Sequence, residues 1–205
     1  MDLLTSPFPD TRPYPWPFDG RLAIDTTALV LCGWQQAFAE VGDAAVAATA
    51  VRLLDAWSDA GGTAYTISHG GVAARPLWLP APGSAGAGPL PAPPNTMHVD
   101  AFGWDACHGS PLEAVLRSRG HTHVLLAGLA AEATVDSTVR TLNDRGFECL
   151  VLTDACTAID PDLLAHAQHS LTMSGGIFGA LGSAADVLAL LDHTRSLSTP
   201  QGASR

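Results

Sequence analysis

Short apolar segments alternate with amphipathic stretches along most of this 205-residue chain. The segments TALVLC (27–32), TAYTIS (63–68), HVLLAG (123–128) and ECLVLT (148–153) are typical of strands that are buried on both faces. Helical spacing predicts helices over 44–60 and over about 131–145. Start signals predict two more helices, one at a capping box formed by Ser110 and Glu113 and one that begins at Asp160-Pro161. This alternation predicts a three-layer α/β/α domain with a mostly parallel, Rossmann-like sheet. Ligands bind such sheets beyond the carboxyl ends of the strands.

Proline is concentrated in two segments, residues 1–20 and 76–94, which together hold twelve of the fifteen prolines. Proline lacks a backbone donor and fixes φ, so neither segment forms a helix or a central strand. We therefore predict a proline-rich N-terminal arm over residues 1–20, anchored by Trp16 and Phe18. We expect one domain over 21–195 with a surface excursion at 76–94, followed by a flexible tail at 196–205.

The charge balance excludes several classes of function. The net charge of −10 argues against a nucleic-acid partner, because phosphate contacts need clustered Lys and Arg. No apolar run is long enough to span a bilayer, and the N-terminus does not have the pattern of a signal peptide, so we expect a cytoplasmic protein without a membrane partner. No phosphate-binding or dinucleotide-binding glycine motif is present, and we expect no cofactor.

Five segments in order resemble the isochorismatase-like cysteine hydrolases. Residues 27–38 are similar to the family's first strand, which usually ends in Asp-x-Gln-Asn-Asp-Phe, and residues 128–147 to its nucleophile turn, Gly-Val-Ala-Thr-x-x-Cys-Val-x-x-Thr. Residues 108–120 and 152–160 resemble the segments that precede and follow that turn. Residues 166–179 resemble the C-terminal signature of the branch that includes ureidoacrylate amidohydrolase and biuret hydrolase. The resemblance implies the isochorismatase-like fold.

The resemblance also implies a catalytic triad, which this chain lacks. In the family a Cys thiolate attacks a carbonyl, an Asp acts as its base, and a Lys lowers the pKa of the thiol. Here Gly33 replaces the Asp, Thr134 replaces the Cys, and Ala101 (or Asp100, if the loop is one residue out) replaces the Lys. The chain contains no Lys at all. We therefore predict that the ancestral reaction is lost.

Two groups of residues remain candidates for a site. A rebuilt hydrolase would use Cys107 with His108, or Asp100 with His69 as an acid–base pair. The candidates for ligand binding are Trp34, Gln35, Leu129, Ala130, Gly175 and Gly176. Trp34 is either an aromatic wall of a pocket or a side chain that fills the space beside Gly33. We expect no metal site, because adjacent loop residues such as Asp105, Cys107 and His108 seldom converge on one point.

The sequence therefore supports two functions. The first is a degenerate family member with a structural or regulatory role, or one that binds a small molecule. It would form a homo-oligomer, or a hetero-oligomer with a paralogue that retains the triad. The second is a hydrolase with a rebuilt site that acts on a small amide or carbonyl compound.

Overall fold

The computed structural model describes residues 8–39, 43–70 and 89–198. Residues 1–7 of the predicted arm, 76–88 of the predicted excursion and 199–205 of the predicted tail lie outside the described residues. Within the described ranges, no helix combines the length and apolar character needed to cross a membrane.

The described strands form one parallel sheet in the order β3-β2-β1-β4-β5-β6. Their bounds are β1 (Thr27–Cys32), β2 (Thr63–His69), β3 (Thr96–Ala101), β4 (His123–Leu129), β5 (Glu148–Thr157) and β6 (Ala180–Gly182). The predicted parallel α/β fold is confirmed. Sequence patterning did not predict β3 and β6. The first is only half-buried and the second has three residues, so neither carries a long apolar run.

Helices cover both faces of the sheet. They are α1 (Gln36–Ala39), α2 (Ala44–Asp59), α3 (Leu112–Ser118), α4 (Asp136–Asp144), α5 (Pro161–Leu171), the single turn α6 (Met173–Gly176) and α7 (Ala184–Ser198). A π-helical turn, Ala131–Val135, precedes α4. An ion pair between Arg195 and Asp59 at 3.2 Å joins α7 to α2 on one face. On the other face, the Arg140 guanidinium donates to the Ser170 hydroxyl at 2.6 Å, which joins α4 to α5.

Two predicted helix starts differ in outcome. Asp160 caps α5 as predicted, since its carboxylate accepts from the Asp162 amide at 3.0 Å. The reciprocal capping box at Ser110 and Glu113 is wrong. Ser110 accepts from the Leu112 amide at 3.2 Å, but the Glu113 carboxylate pairs with Arg117. A charged guanidinium one helical turn away competes with the backbone amide for that carboxylate.

The described part of the arm packs across the amino ends of the strands. Trp16 is completely buried and stacks on Phe8 with 5.5 Å between ring centroids, as expected of an anchor. Phe18 is 75% exposed, so its prediction as a second anchor is wrong. It lies edge-on to Tyr14 at the surface instead of entering the core.

His121 is a buried imidazole beside the Tyr65 ring, with neither ring nitrogen hydrogen-bonded. Burial lowers its pKa below the usual value, and the nearby Arg119 lowers it further. The unfolded chain therefore binds more protons than the folded one below about pH 6.5. We expect the free energy of unfolding to fall as the pH drops below this value, measured by urea denaturation at a series of pH values. His121→Phe, which keeps the ring and cannot ionise, should reduce that loss.

A matched control is His166→Gln, which removes an exposed histidine on α5. We expect it to leave the pH dependence of unfolding unchanged. An equal effect of the two substitutions would contradict the assignment to His121.

Candidate functional site

The carboxyl edge of the sheet is the edge at which parallel α/β proteins usually bind ligands. Strand β1 lies between β2 and β4, so the chain crosses from one half of the sheet to the other beside it. Ala101 ends β3, Gly33 follows β1, and Thr134 lies in the turn after β4. The structure therefore brings the three predicted triad positions to the same edge of the sheet.

The turn after β1 is fixed by backbone hydrogen bonds and buried side chains. Gly33 has a φ of +65°, a left-handed conformation that glycine adopts without a steric penalty. Trp34 is 1% exposed, and its indole N–H donates to the Pro91 carbonyl at 3.2 Å. Gln35 accepts from the His69 amide at 2.6 Å and donates to the His69 carbonyl at 3.2 Å. Gln35 therefore holds β1 to β2 with both ends of its amide.

Thr134 is the residue that the resemblance aligns with the family nucleophile, and its hydroxyl is bound to the backbone. The side chain is fully buried, and its hydroxyl donates to the Leu129 carbonyl at 2.7 Å and lies 3.1 Å from that of Ala130. Ala130 has a φ of +62°, an uncommon conformation for a residue with a side chain. One turn later, the Thr138 hydroxyl donates to the Thr134 carbonyl at 2.6 Å. These contacts stabilise the turn and keep the Thr134 hydroxyl proton in a hydrogen bond with a backbone carbonyl.

The proposed acid–base pair of Asp100 and His69 is wrong. His69 is paired with Ala101 in the parallel register, while Asp100 is paired with Ser68, one residue earlier. Because successive residues of a strand point to opposite faces, the two side chains lie on opposite sides of the sheet. The His69 ring donates to the Gly103 carbonyl at 2.7 Å, and Asp100 meets His98 at 3.2 Å.

Cys107 and His108 do not form a nucleophile pair among the described contacts. Burial raises the pKa of the Cys107 thiol to about 12, with the nearby Asp105 carboxylate adding to the shift. The Asp105 carboxylate accepts from the Cys107 amide at 2.8 Å, which folds the segment into a turn. His108 is exposed and packs beside Gly103. Adjacent residues of this turn therefore point to different environments.

All four cysteines of the chain are buried and free. Burial raises the pKa of the Cys156 thiol to about 12, and it raises the pKa values of the Cys32 and Cys149 thiols well above their usual range. Each thiol is therefore protonated near neutral pH, and none is an activated nucleophile. No three His, Cys, Asp or Glu side chains within the described ranges are grouped as metal ligands would be.

Gly175 and Gly176 lie at the opposite edge from the other candidates, so their prediction as ligand-binding residues at the site is wrong. They connect the end of α5 to the start of β6, which is the amino edge of the sheet. A Cβ atom on Gly176 would contact Tyr14 and Pro13 at 2.6 and 2.8 Å. This glycine therefore permits close packing against the N-terminal arm.

The sequence predicted Leu129 and Ala130 as site residues at the carboxyl edge, but not the apolar residues that pack against them. Leu129 and Ala130 are buried there, and half-buried apolar residues from several loops pack against them, namely Ala39, Leu90, Trp104, Ala133 and Ile159. These residues come from separate parts of the chain, so no sequence spacing connects them. Their side chains give the edge an apolar character and contain no carboxylate or imidazole.

Comparisons with known proteins agree with this architecture. The family model that describes isochorismatase domain sequences matches residues 27–186. An uncharacterised isochorismatase family protein of Escherichia coli O157:H7 is 38% identical over 55 residues, a match that spans 27% of this chain and 29% of that protein.

Solved structures extend the similarity to most of the chain. A cysteine hydrolase from Pseudomonas syringae pv. phaseolicola has a TM-score of 0.76 at 18% identity, covering 87% of this chain and 96% of that one. A putative isochorismatase-family hydrolase from Chromobacterium violaceum has a TM-score of 0.73 at 26% identity, covering 88% and 100%. A nicotinamidase from Bacillus subtilis has a TM-score of 0.68 at 21% identity, covering 77% and 99%. With the domain model matching more than half of its length, this chain belongs to the isochorismatase family.

Proposed function

We propose that this chain is a degenerate member of the isochorismatase family that has lost thiol-based hydrolysis. It would serve as a structural or regulatory subunit, or as a small-ligand binder, associated with an active amidohydrolase. The observation that carries the proposal is the environment of Thr134. Its hydroxyl is buried and donates to the Leu129 carbonyl, and the resemblance aligns this residue with the thiolate that attacks the substrate in the family.

The chemistry around Thr134 supports the proposal. An alcohol is a weak nucleophile unless a base removes its proton, and the position of the base is held by Gly33, which has no side chain. The position of the family Lys is held by Ala101, and the chain contains no Lys to replace it. The similarity of residues 166–179 to the ureidoacrylate and biuret hydrolases suggests small amides as the substrates of the active partner.

The alternative is a hydrolase with a rebuilt site acting on a small amide or carbonyl compound. Cys107 would be its nucleophile, but the raised pKa of that thiol and the exposed position of His108 argue against it. We therefore favour the degenerate role.

The direct test is hydrolysis of ureidoacrylate, biuret, nicotinamide and isochorismate by the purified protein. We expect no turnover above the buffer blank, because no thiolate, base or Lys is available. Thr134→Cys alone should stay inactive for the same reason, since a thiol without its base and Lys is not activated. A triad-bearing family member assayed in parallel provides the positive control. Turnover by the natural protein that disappears in Cys107→Ser would favour the rebuilt hydrolase instead.

The surface of α5 supports an assembly role. Leu171 is the one residue of this 11-residue helix that is buried among the described residues. Leu163 on α5, Met173 on α6 and Ile177 just beyond α6 are each about half exposed. Exposed apolar side chains on neighbouring segments are typical of surfaces that contact another subunit.

We expect the protein to form a stable oligomer, alone or with a triad-bearing paralogue, as measured by light scattering at micromolar concentration. Leu163→Asp should shift the mass toward the monomer, because it places a charge in an apolar interface. The matched control is Val51→Asp on α2, a comparably exposed apolar residue on the other face of the sheet. If the unmodified protein were a monomer both alone and when mixed with the paralogue, that result would contradict the assembly role.

A further inference from the structure

A cavity of about 540 Å³ lies at the amino edge of the sheet, opposite the predicted triad positions. The starts of β1, β4 and β5 line the cavity. Two backbone hydrogen bonds join these starts, from the Thr122 amide to the Thr26 carbonyl and from the Glu148 amide to the Thr122 carbonyl, both at 2.9 Å. Phe18 and Asp19 of the arm, and Arg21 just after it, also line the cavity. The volume lies within the usual range for sites that hold a small molecule.

The cavity contains a polar side chain that is more than nine-tenths buried. The side chain of His123 is 7% exposed, and its Nδ1 lies 2.8 Å from the Thr122 hydroxyl. Its Nε2 is 3.6 Å from an Asp19 carboxylate oxygen, which is longer than a direct hydrogen bond. Trp16 packs edge-on against the ring at 5.7 Å and fixes its orientation. The imidazole is therefore held rigidly in the cavity by its neighbours.

Side chains of both positive and negative charge line the same cavity. Asp19 and Glu148 supply carboxylates, and the Tyr14 hydroxyl orients Glu148 by donating to it at 2.8 Å. Arg21 supplies a guanidinium, and no described residue accepts a hydrogen bond from that group. Guanidinium groups bind carboxylates in a planar, two-bond geometry, while carboxylates bind ammonium groups.

The charge pattern restricts the class of ligand. A simple anion would face the two carboxylates and a chain of net charge −10. A simple cation would face the positive charge of the Arg21 guanidinium, which lies close enough to Asp19 to add to the backbone hydrogen bond from Arg21 in lowering the pKa of that carboxyl. Phe18 adds an apolar surface, since its ring is 75% exposed where it lines the cavity. A ligand with one group of each sign and an aromatic side chain satisfies all three features.

We propose that this amino-edge cavity binds a small aromatic zwitterion, of the kind represented by a free aromatic amino acid. Arg21 would bind its carboxylate, Glu148 and Asp19 its ammonium group, and Phe18 its ring. The site is separate from the carboxyl edge, so the proposal does not depend on the loss of hydrolysis there.

The test is calorimetric titration of the purified full-length chain with three probes: L-phenylalanine, 2-phenylethylamine, which lacks the carboxylate, and 3-phenylpropionate, which lacks the ammonium group. We expect L-phenylalanine to bind about tenfold or more tightly than either of the others, because each of them leaves a charged group of the cavity unpaired. No binding of L-phenylalanine up to about 10 mM, or equal binding of all three probes, would overturn the proposal.

Substitutions of the charged residues test whether L-phenylalanine binds in this cavity. Arg21→Gln removes an exposed positive charge, and Glu148→Gln removes a negative charge but keeps an oxygen that accepts from Tyr14. Each should weaken binding of L-phenylalanine about tenfold. Arg52→Gln makes the same charge change as Arg21→Gln on α2 and should leave the affinity unchanged. Undiminished binding by the two cavity variants, with unfolding curves like that of the parent chain, would place the ligand elsewhere and overturn the proposal.

Discussion

Replacement of Gly128 by alanine is expected to abolish folding or to lower the free energy of unfolding by about 4 kcal/mol or more. Gly128 lies on β4 opposite Cys32 of β1, with a φ of +148°. A Cβ atom there would stand 2.1 Å from the backbone oxygen of Cys32 and 2.8 Å from its nitrogen. Backbone atoms in the centre of a sheet cannot move aside, so β1 and β4 would separate. Urea unfolding followed by far-UV circular dichroism measures the loss.

Gly146→Ala is the matched control for this substitution. Gly146 also has a positive φ, +81°, but a Cβ atom there would meet nothing within 4 Å. We expect it to cost about 1–2 kcal/mol, from the left-handed conformation alone. Similar losses for the two variants would show that the close approach of β1 and β4 is not what requires glycine at position 128.

Replacement of Trp34 by alanine is expected to lower the free energy of unfolding by about 3–5 kcal/mol. Trp34 is a large, almost fully buried side chain beside Gly33, and its indole is bonded to the Pro91 carbonyl. Its own carbonyl accepts from the Leu90 amide at 3.0 Å. The substitution would leave a cavity at the carboxyl edge and remove the side-chain tie to the segment that leads into β3. Thermal and urea unfolding of the two proteins measure the difference.

Trp34→Phe separates packing from hydrogen bonding at this position. Phenylalanine keeps an aromatic ring in the core but cannot donate to Pro91, so we expect a smaller loss of about 1–3 kcal/mol. If the alanine variant were no less stable than the phenylalanine variant, Trp34 would not fill the space beside Gly33. That result would favour its role as an exposed wall of a pocket.

The resemblance to the family predicted the wrong edge of the sheet for one pair of residues. Gly175 and Gly176 follow a helix and precede a strand, and in a parallel sheet such a connection lies at the amino edge. The resemblance placed them near the active site instead. The sequence did not predict β6, so only the structure shows that these glycines connect a helix to a strand.

The sequence by itself determined the type and order of most elements. Apolar runs such as 27–32 and the capping by Asp160 depend on neighbours within a few residues, so a single sequence is enough to predict them. It also determined the absence of Lys and the presence of threonine, not cysteine, at position 134. These are facts of composition and motif that no packing can change.

Only the tertiary structure decided which side chains meet. The register of β2 against β3 places His69 and Asp100 on opposite faces, although both occur near strand ends in the sequence. The Asp154 carboxylate accepts from the Ala184 and Ala185 amides at 2.5 and 3.1 Å and caps a helix thirty residues later. The amino-edge cavity likewise combines the arm with three strand starts. Such contacts depend on strand register and on loop paths, which are set by the packing of the whole domain and leave no local pattern in the sequence.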